Sequence, residues 1–165
     1  MKHIHVRASA RVIGFIALSI YVGILGYLVF FSSEFGRDTT HVSQYNLVPF
    51  RTISNFIKYH EYVNFKTLMV NILGNVVAFV PLGVILPVVF KKKEVYYYFH
   101  IVVLCAFLTS LIIEVTQIAM SVGAFDVDDL ILNTFGAMIG YLVYLYFRRW
   151  YRLTVINKKR GKYGR

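Results

Sequence analysis

Four apolar runs, each long enough to cross a bilayer, leave this chain few folds to choose from. They cover about residues 12–31, 68–90, 95–121 and 130–147. A helix of about 20 residues crosses a hydrocarbon core of ~30 Å. Composition agrees: 58% of the residues are hydrophobic and only 16% are charged, against about 25% charged in soluble domains. The fold class expected is all-α, a polytopic membrane protein with four transmembrane helices. All of residues 1–165 then form one membrane domain, ending in a basic tail over 148–165. A signal peptide is the competing reading of the first run. Its length, and the lack of a small-x-small cleavage site after it, favour an uncleaved span.

The polar segment 32–66 holds Phe50, Ile53, Phe56 and Ile57 at helical spacing, with Arg51, Lys58 and Glu61 between them. Such a piece suits the membrane interface, as a helix or a re-entrant segment. It is entered through Asn46-Leu47-Val48-Pro49-Phe50. Pro49 fixes its own φ and holds Val48 extended, which predicts a turn or a helix start.

A net charge of +10 invites a nucleic-acid reading, but the charges lie between the apolar runs, where they orient a chain in a membrane. Lys2, Arg7, Arg11, Lys91, Lys92, Lys93, Arg148, Arg149 and the basic tail fall on one side, and Arg37, Arg51, Lys58 and Lys66 on the other. The positive-inside rule then puts both termini in the cytoplasm and faces 32–66 and 122–129 outward. Cys105 is the single cysteine, so neither an intrachain disulfide nor a thiol metal cluster is available.

Within the spans, polar residues gather at one depth. At 1.5 Å per residue, Asn71 and Asn75 lie ~5 and ~10 Å below the outer end of span two, Gln117 and Glu114 ~6 and ~10 Å below that of span three, and Asn133 ~6 Å into span four. Asn71 and Asn75 share a helix face, as do Glu114 and Gln117, and as do Asp129, Asn133, Gly136 and Gly140. Gly136 and Gly140 allow another helix to approach closely below the polar layer, and Gly74 and Ala78 could do the same on span two. Pro81 should kink span two and free the carbonyl of Val77.

Each polar residue also has a structural reading. Membrane Asn and Gln side chains often bind helices together, for about 0.6–2 kcal/mol each. Asp126 and Asp128 could be solvated loop acids, and Asp129 is placed to cap span four. Glu114 is different, because a carboxyl ~10 Å deep must be protonated or paired, and a functional role is the default.

These motifs carry a resemblance. Asn46-Leu47-x-Pro49-Phe50, Asn71-x-x-Gly74-Asn75-x-x-x-Phe79-x-Pro81-x-Gly83, Glu114-x-x-Gln117 and Asp126-x-x-Asp129-x-x-x-Asn133-x-x-Gly136-x-x-x-Gly140 occur in order over residues 46–141. In this the chain resembles the VanZ-like family of small bacterial membrane proteins. The resemblance implies a multi-pass protein of the bacterial cell membrane. The family's founding member is linked to teicoplanin resistance in Gram-positive bacteria, by a route other than remodelling the peptidoglycan stem peptide. No catalytic activity follows from the resemblance.

Two functions compete. In the first, an outward polar pocket binds a lipid headgroup, a cell-wall precursor or a lipoglycopeptide and so changes glycopeptide susceptibility. Asn46, Arg51, Asn71, Asn75, Gln117, Asp126 and Asn133 would be the ligand contacts. In the second, a membrane enzyme modifies a lipid-linked phosphate or sugar, with Glu114 as general acid or base and Asp129 beside it. Asp126, Asp128 and Asp129 would then be a weak candidate set for Mg²⁺ or Ca²⁺, with His41 and His60 in reserve; no other cofactor is expected. A transporter is disfavoured by four spans without a repeated pair of broken helices, and only a homo-oligomer would restore it.

Overall fold

The computed structural model describes residues 2–31, 45–58, 65–90 and 95–163. His41, His60 and the Lys91, Lys92, Lys93 cluster lie outside the described residues. In chain order the elements are α1 (Lys2–Phe31), β1 (Tyr45–Asn46), α2 (Arg51–Lys58), α3 (Phe65–Phe90), α4 (Val95–Ala119), β2 (Phe125–Asp126) and α5 (Val127–Tyr163). Four of the helices are long and apolar enough to cross a membrane, over Arg11–Phe31, Asn71–Phe90, Tyr98–Ala119 and Val127–Val155. The fifth, α2, is short and amphipathic, as expected of the interfacial piece. β1 and β2 pair in parallel, Tyr45 beside Phe125 and Asn46 beside Asp126. The bundle end that carries α2 and this bridge is the capped end.

Helix ends and the ends of the apolar runs do not coincide everywhere. α5 continues through Arg148 and Arg149 to Tyr163. Arginine and lysine end burial in lipid but are good helix formers, so charge alone does not stop a helix. α4 ends earlier than its apolar run, at Ala119. Ser121 takes a left-handed φ of 55°; its N–H donates to the Ile118 carbonyl and that of Val122 to the Gln117 carbonyl, both at 2.9 Å. That pair of bonds is a Schellman termination, formed here without glycine.

The centre of the bundle is the contact between α3 and α5, with α1 packed on α3 and α4 packed on α5. Backbone meets backbone there. A Cβ on Gly136 would lie 2.1 Å from the Val76 carbonyl oxygen, one on Gly140 2.0 Å from that of Val80, and one on Gly83 2.0 Å from that of Ala137. The close approach expected at Gly136 and Gly140 is therefore made to α3, where Gly83 completes it. Phe79, Leu82, Leu86, Val102, Ala106, Ala137 and Tyr141 form the core around this seam. Val77, Leu104, Ile112 and Leu142 point outward and exposed, the pattern of a bundle solvated by lipid.

α3 stays helical through Pro81 and Pro87. Pro81 has no N–H to offer the carbonyl of Val77. On the next residue, the Tyr21 hydroxyl of α1 donates to the Ala78 carbonyl at 3.0 Å. The seam yields a test. Gly140→Ala should overpack it and cost about 1–3 kcal/mol or more, read as a lower midpoint of thermal unfolding in detergent. Gly23→Ala, where a Cβ meets nothing within 4 Å, should not lower that midpoint.

Candidate functional site

At the capped end, two aspartates fasten the segment before α2 to the start of α5. Asp126 is the N-cap of α5: its Oδ1 accepts the Asp128 N–H at 2.9 Å. The same carboxylate accepts the Asn46 amide at 2.9 Å and the Thr52 hydroxyl at 2.6 Å. Asp128 is fully buried and reaches across to the N-terminus of α2. Its carboxylate accepts the N–H groups of Phe50, of Thr52 at 2.8 Å and of Ile53 at 3.3 Å. The Arg51 N–H donates to the Val48 carbonyl at 3.3 Å, and the Ser54 N–H makes a first helical bond to Phe50 at 2.8 Å. The donors that a helix start leaves orphaned are thus taken up, with a negative charge at the positive end of the helix. Phe50 accommodates the approach at φ 63°.

Asp129 therefore is not the cap. α5 begins two residues before it, so Asp129 occupies the third helical position and turns toward α3. There its Oδ1 accepts the Asn75 amide at 2.5 Å. On α4, the Glu114 Oε2 accepts the Asp126 N–H at 2.9 Å. The Asn133 amide donates to the Ser110 hydroxyl of α4 at 2.8 Å. Three spans meet in one polar layer, as their spacing predicts. Glu114 thus receives one backbone hydrogen bond and is only 2% exposed.

The candidate residues divide between two spaces. Asn75, Glu114, Gln117, Asp129 and Asn133 line an interior cavity of about 50 Å³, walled by Leu25, Leu28, Val29, Ala78, Phe79 and Ile113. Asn46, Arg51 and Asp126 line an open cleft of about 440 Å³ at the capped end, with Tyr45, Thr52, Asn55, Ala124 and Phe125. Asn71 lines neither of these two spaces. Size separates what each can hold. A water needs roughly 10–15 Å³ on this measure, so the cavity takes a few waters or an ion, and of these two spaces it is the cleft that has room for a sugar or phosphate headgroup. A third space, an apolar groove of about 450 Å³ between α1 and α3, shares Leu25, Leu28 and Ala78 with the cavity wall.

The acids divide too. Asp126 and Asp128 spend their oxygens on protein donors, so they are poorly placed to serve as a cation site. Among the described residues no three His, Cys, Asp or Glu side chains are grouped to hold a metal. Thr52, Asn55 and Ser110 were not among the expected residues. Ser110 had a signal, lying one turn before Glu114 on the same helix face.

Fold and site together define a polytopic α-helical membrane protein with a polar layer inside one end of its bundle. A family model described as VanZ/LLP1 matches residues 18–148. The chain belongs to the VanZ/LLP1 family. It is 29% identical over 130 residues to "Protein VanZ" of Enterococcus faecium, covering 77% of this chain and 70% of that one. No solved structure matches the chain.

The two-aspartate staple is open to test. Asp128→Ala should strip the acceptor from three N–H groups and cost about 1–3 kcal/mol locally. Amide hydrogen exchange at Phe50, Thr52 and Ile53 should accelerate by about tenfold or more, while exchange at the α3–α5 seam stays slow. Equal acceleration at the seam would show that the staple supports the whole bundle.

Proposed function

We propose that this protein binds an amphiphilic molecule of the bacterial envelope, its polar group in the open cleft and its chain in the bilayer. The cleft carries the reading: about 440 Å³ of polar space lined by Asn46, Arg51, Thr52 and Asn55, directly above the fastened end of the bundle. An exposed Arg51 guanidinium offers a planar fork for a phosphate or carboxylate, and the Asn55 amide suits sugar hydroxyls or peptide groups. In this reading the capped end faces outward, the orientation that the positive-inside rule supports. A cell-wall precursor or a lipoglycopeptide of the teicoplanin type has the required form, a large polar head on an acyl chain. Sequestering such a drug at the membrane would lower the amount acting on the wall.

Catalysis is the weaker reading. Glu114 lies in a space too small for a substrate headgroup, and one of its oxygens is committed to the Asp126 N–H. A general acid or base must come within ~2.6–3.2 Å of the reacting group, and from the cleft Glu114 lies behind Asp126.

The test is expression in a susceptible Gram-positive host, with teicoplanin and vancomycin compared. Arg51→Ala removes a charge-assisted contact of about 1.5–3 kcal/mol and should return teicoplanin susceptibility toward that of the empty vector, with the protein still abundant in the membrane. Full protection by Arg51→Ala and Asn55→Ala would remove the cleft as the working site. Turnover of an undecaprenyl-linked precursor by the purified protein would establish the enzyme instead.

A further inference from the structure

The interior cavity is short of positive charge. Carboxyl groups from α4 and α5, those of Glu114 and Asp129, line it together, and none of its lining residues is Lys, Arg or His. Each carboxylate receives a single protein hydrogen bond among the described residues: the Asp126 N–H on Glu114 Oε2 and the Asn75 amide on Asp129 Oδ1. Glu114 Oε1 and Asp129 Oδ2 have no protein donor among those residues. Charge buried in this way is costly unless it is paired or coordinates a metal.

A second observation lies in the same cavity and does not involve an acid. Asn133 is 4% exposed and lines the space. Its amide nitrogen is used on Ser110, and its Oδ1 is buried with no donor among the described residues. Buried polar atoms are nearly always satisfied, and an orphan calls for an unseen partner. Three oxygens from three positions on two helices are therefore left as acceptors, with no donor among the described residues to meet them.

We propose that this cavity binds one divalent cation, held by the Glu114 and Asp129 carboxylates and the Asn133 side-chain oxygen. Two carboxylates match a charge of two, and an all-oxygen donor set is the chemistry of Mg²⁺, Ca²⁺ and Mn²⁺. The cavity of about 50 Å³ has room for an ion and waters that complete its shell. Such an ion ties α4 to α5 in the layer where Glu114 also receives the Asp126 N–H, so it would secure the start of α5 and the floor beneath the cleft. The site lies inside the bundle, below Asp126 and Asp128, and does not rest on which molecule occupies the cleft.

The full chain in nanodiscs of zwitterionic lipid, stripped with chelator, is titrated with Mn²⁺ and the free ion is read by electron paramagnetic resonance. One Mn²⁺ per chain should bind beyond the empty-disc background and be displaced by Ca²⁺ or Mg²⁺. Glu114→Gln and Asp129→Asn should each weaken binding by about tenfold or more. Asn133→Asp, which adds a third carboxylate, should tighten it; that gain cannot come from misfolding. No binding above empty discs would overturn the proposal and leave protons and water as the occupants. Binding unchanged by all three variants, or lost in Asp126→Asn alone, would also overturn it.

Discussion

Two helices touching backbone to backbone set the geometry of everything else in this protein. In lipid there is no hydrophobic drive to bring helices together, so close packing has to do it. Gly83, Gly136 and Gly140 remove the atoms that would keep α3 and α5 apart. Helical side chains lean toward the N-terminus of their helix, and both helices start at the capped end. The Asn75 amide thereby leans toward that end and meets Asp129 there. The seam lies below the polar layer and determines which polar groups share it.

The second constraint is how an irregular segment is held at the rim of a membrane bundle. Residues 45–50 lie outside the helices, paired with β2 at Tyr45 and Asn46, and Asp126 and Asp128 supply further partners to the segment and to the start of α2. One caps α5 while holding Asn46 and Thr52; the other gathers the N–H groups at the start of α2. The cost of these acids is offset by the donors they satisfy. The two aspartates fasten the segment that carries Arg51 and Asn55, both of which are exposed and line the cleft.

Much of this was legible in the residues. Four long apolar runs gave the spans, and periodicity within them placed Asn75, Glu114, Gln117 and Asn133 at a common depth. The glycine pair of α5 announced a close contact, and the chain after Pro49 a helix start. The partners of the loop acids were not legible. Asp128 meets Thr52 across 76 residues, through backbone N–H groups that no side-chain pattern encodes. A strand of two residues is too short for alternation to show, so the Asn46–Asp126 register was invisible as well. The cap was assigned to Asp129 because the apolar run starts after it, whereas the helix itself starts at Val127. The apolar run likewise marks the extent of a span and not of its helix, which continues past Arg148 to Tyr163.

The bundle thus has a polar layer inside it and an open polar cleft above that layer, which the proposed function makes the ligand site. A ligand reaches the cleft from the side that the capped end faces, so the account depends on orientation. Cysteines at Asn55 and Thr154, both exposed, can be placed singly in a Cys105→Ser background and treated with a membrane-impermeant maleimide. On intact cells the Asn55→Cys protein should label and the Thr154→Cys protein should label only after permeabilisation. The reverse pattern would put the cleft in the cytoplasm and contradict binding of an envelope molecule from outside.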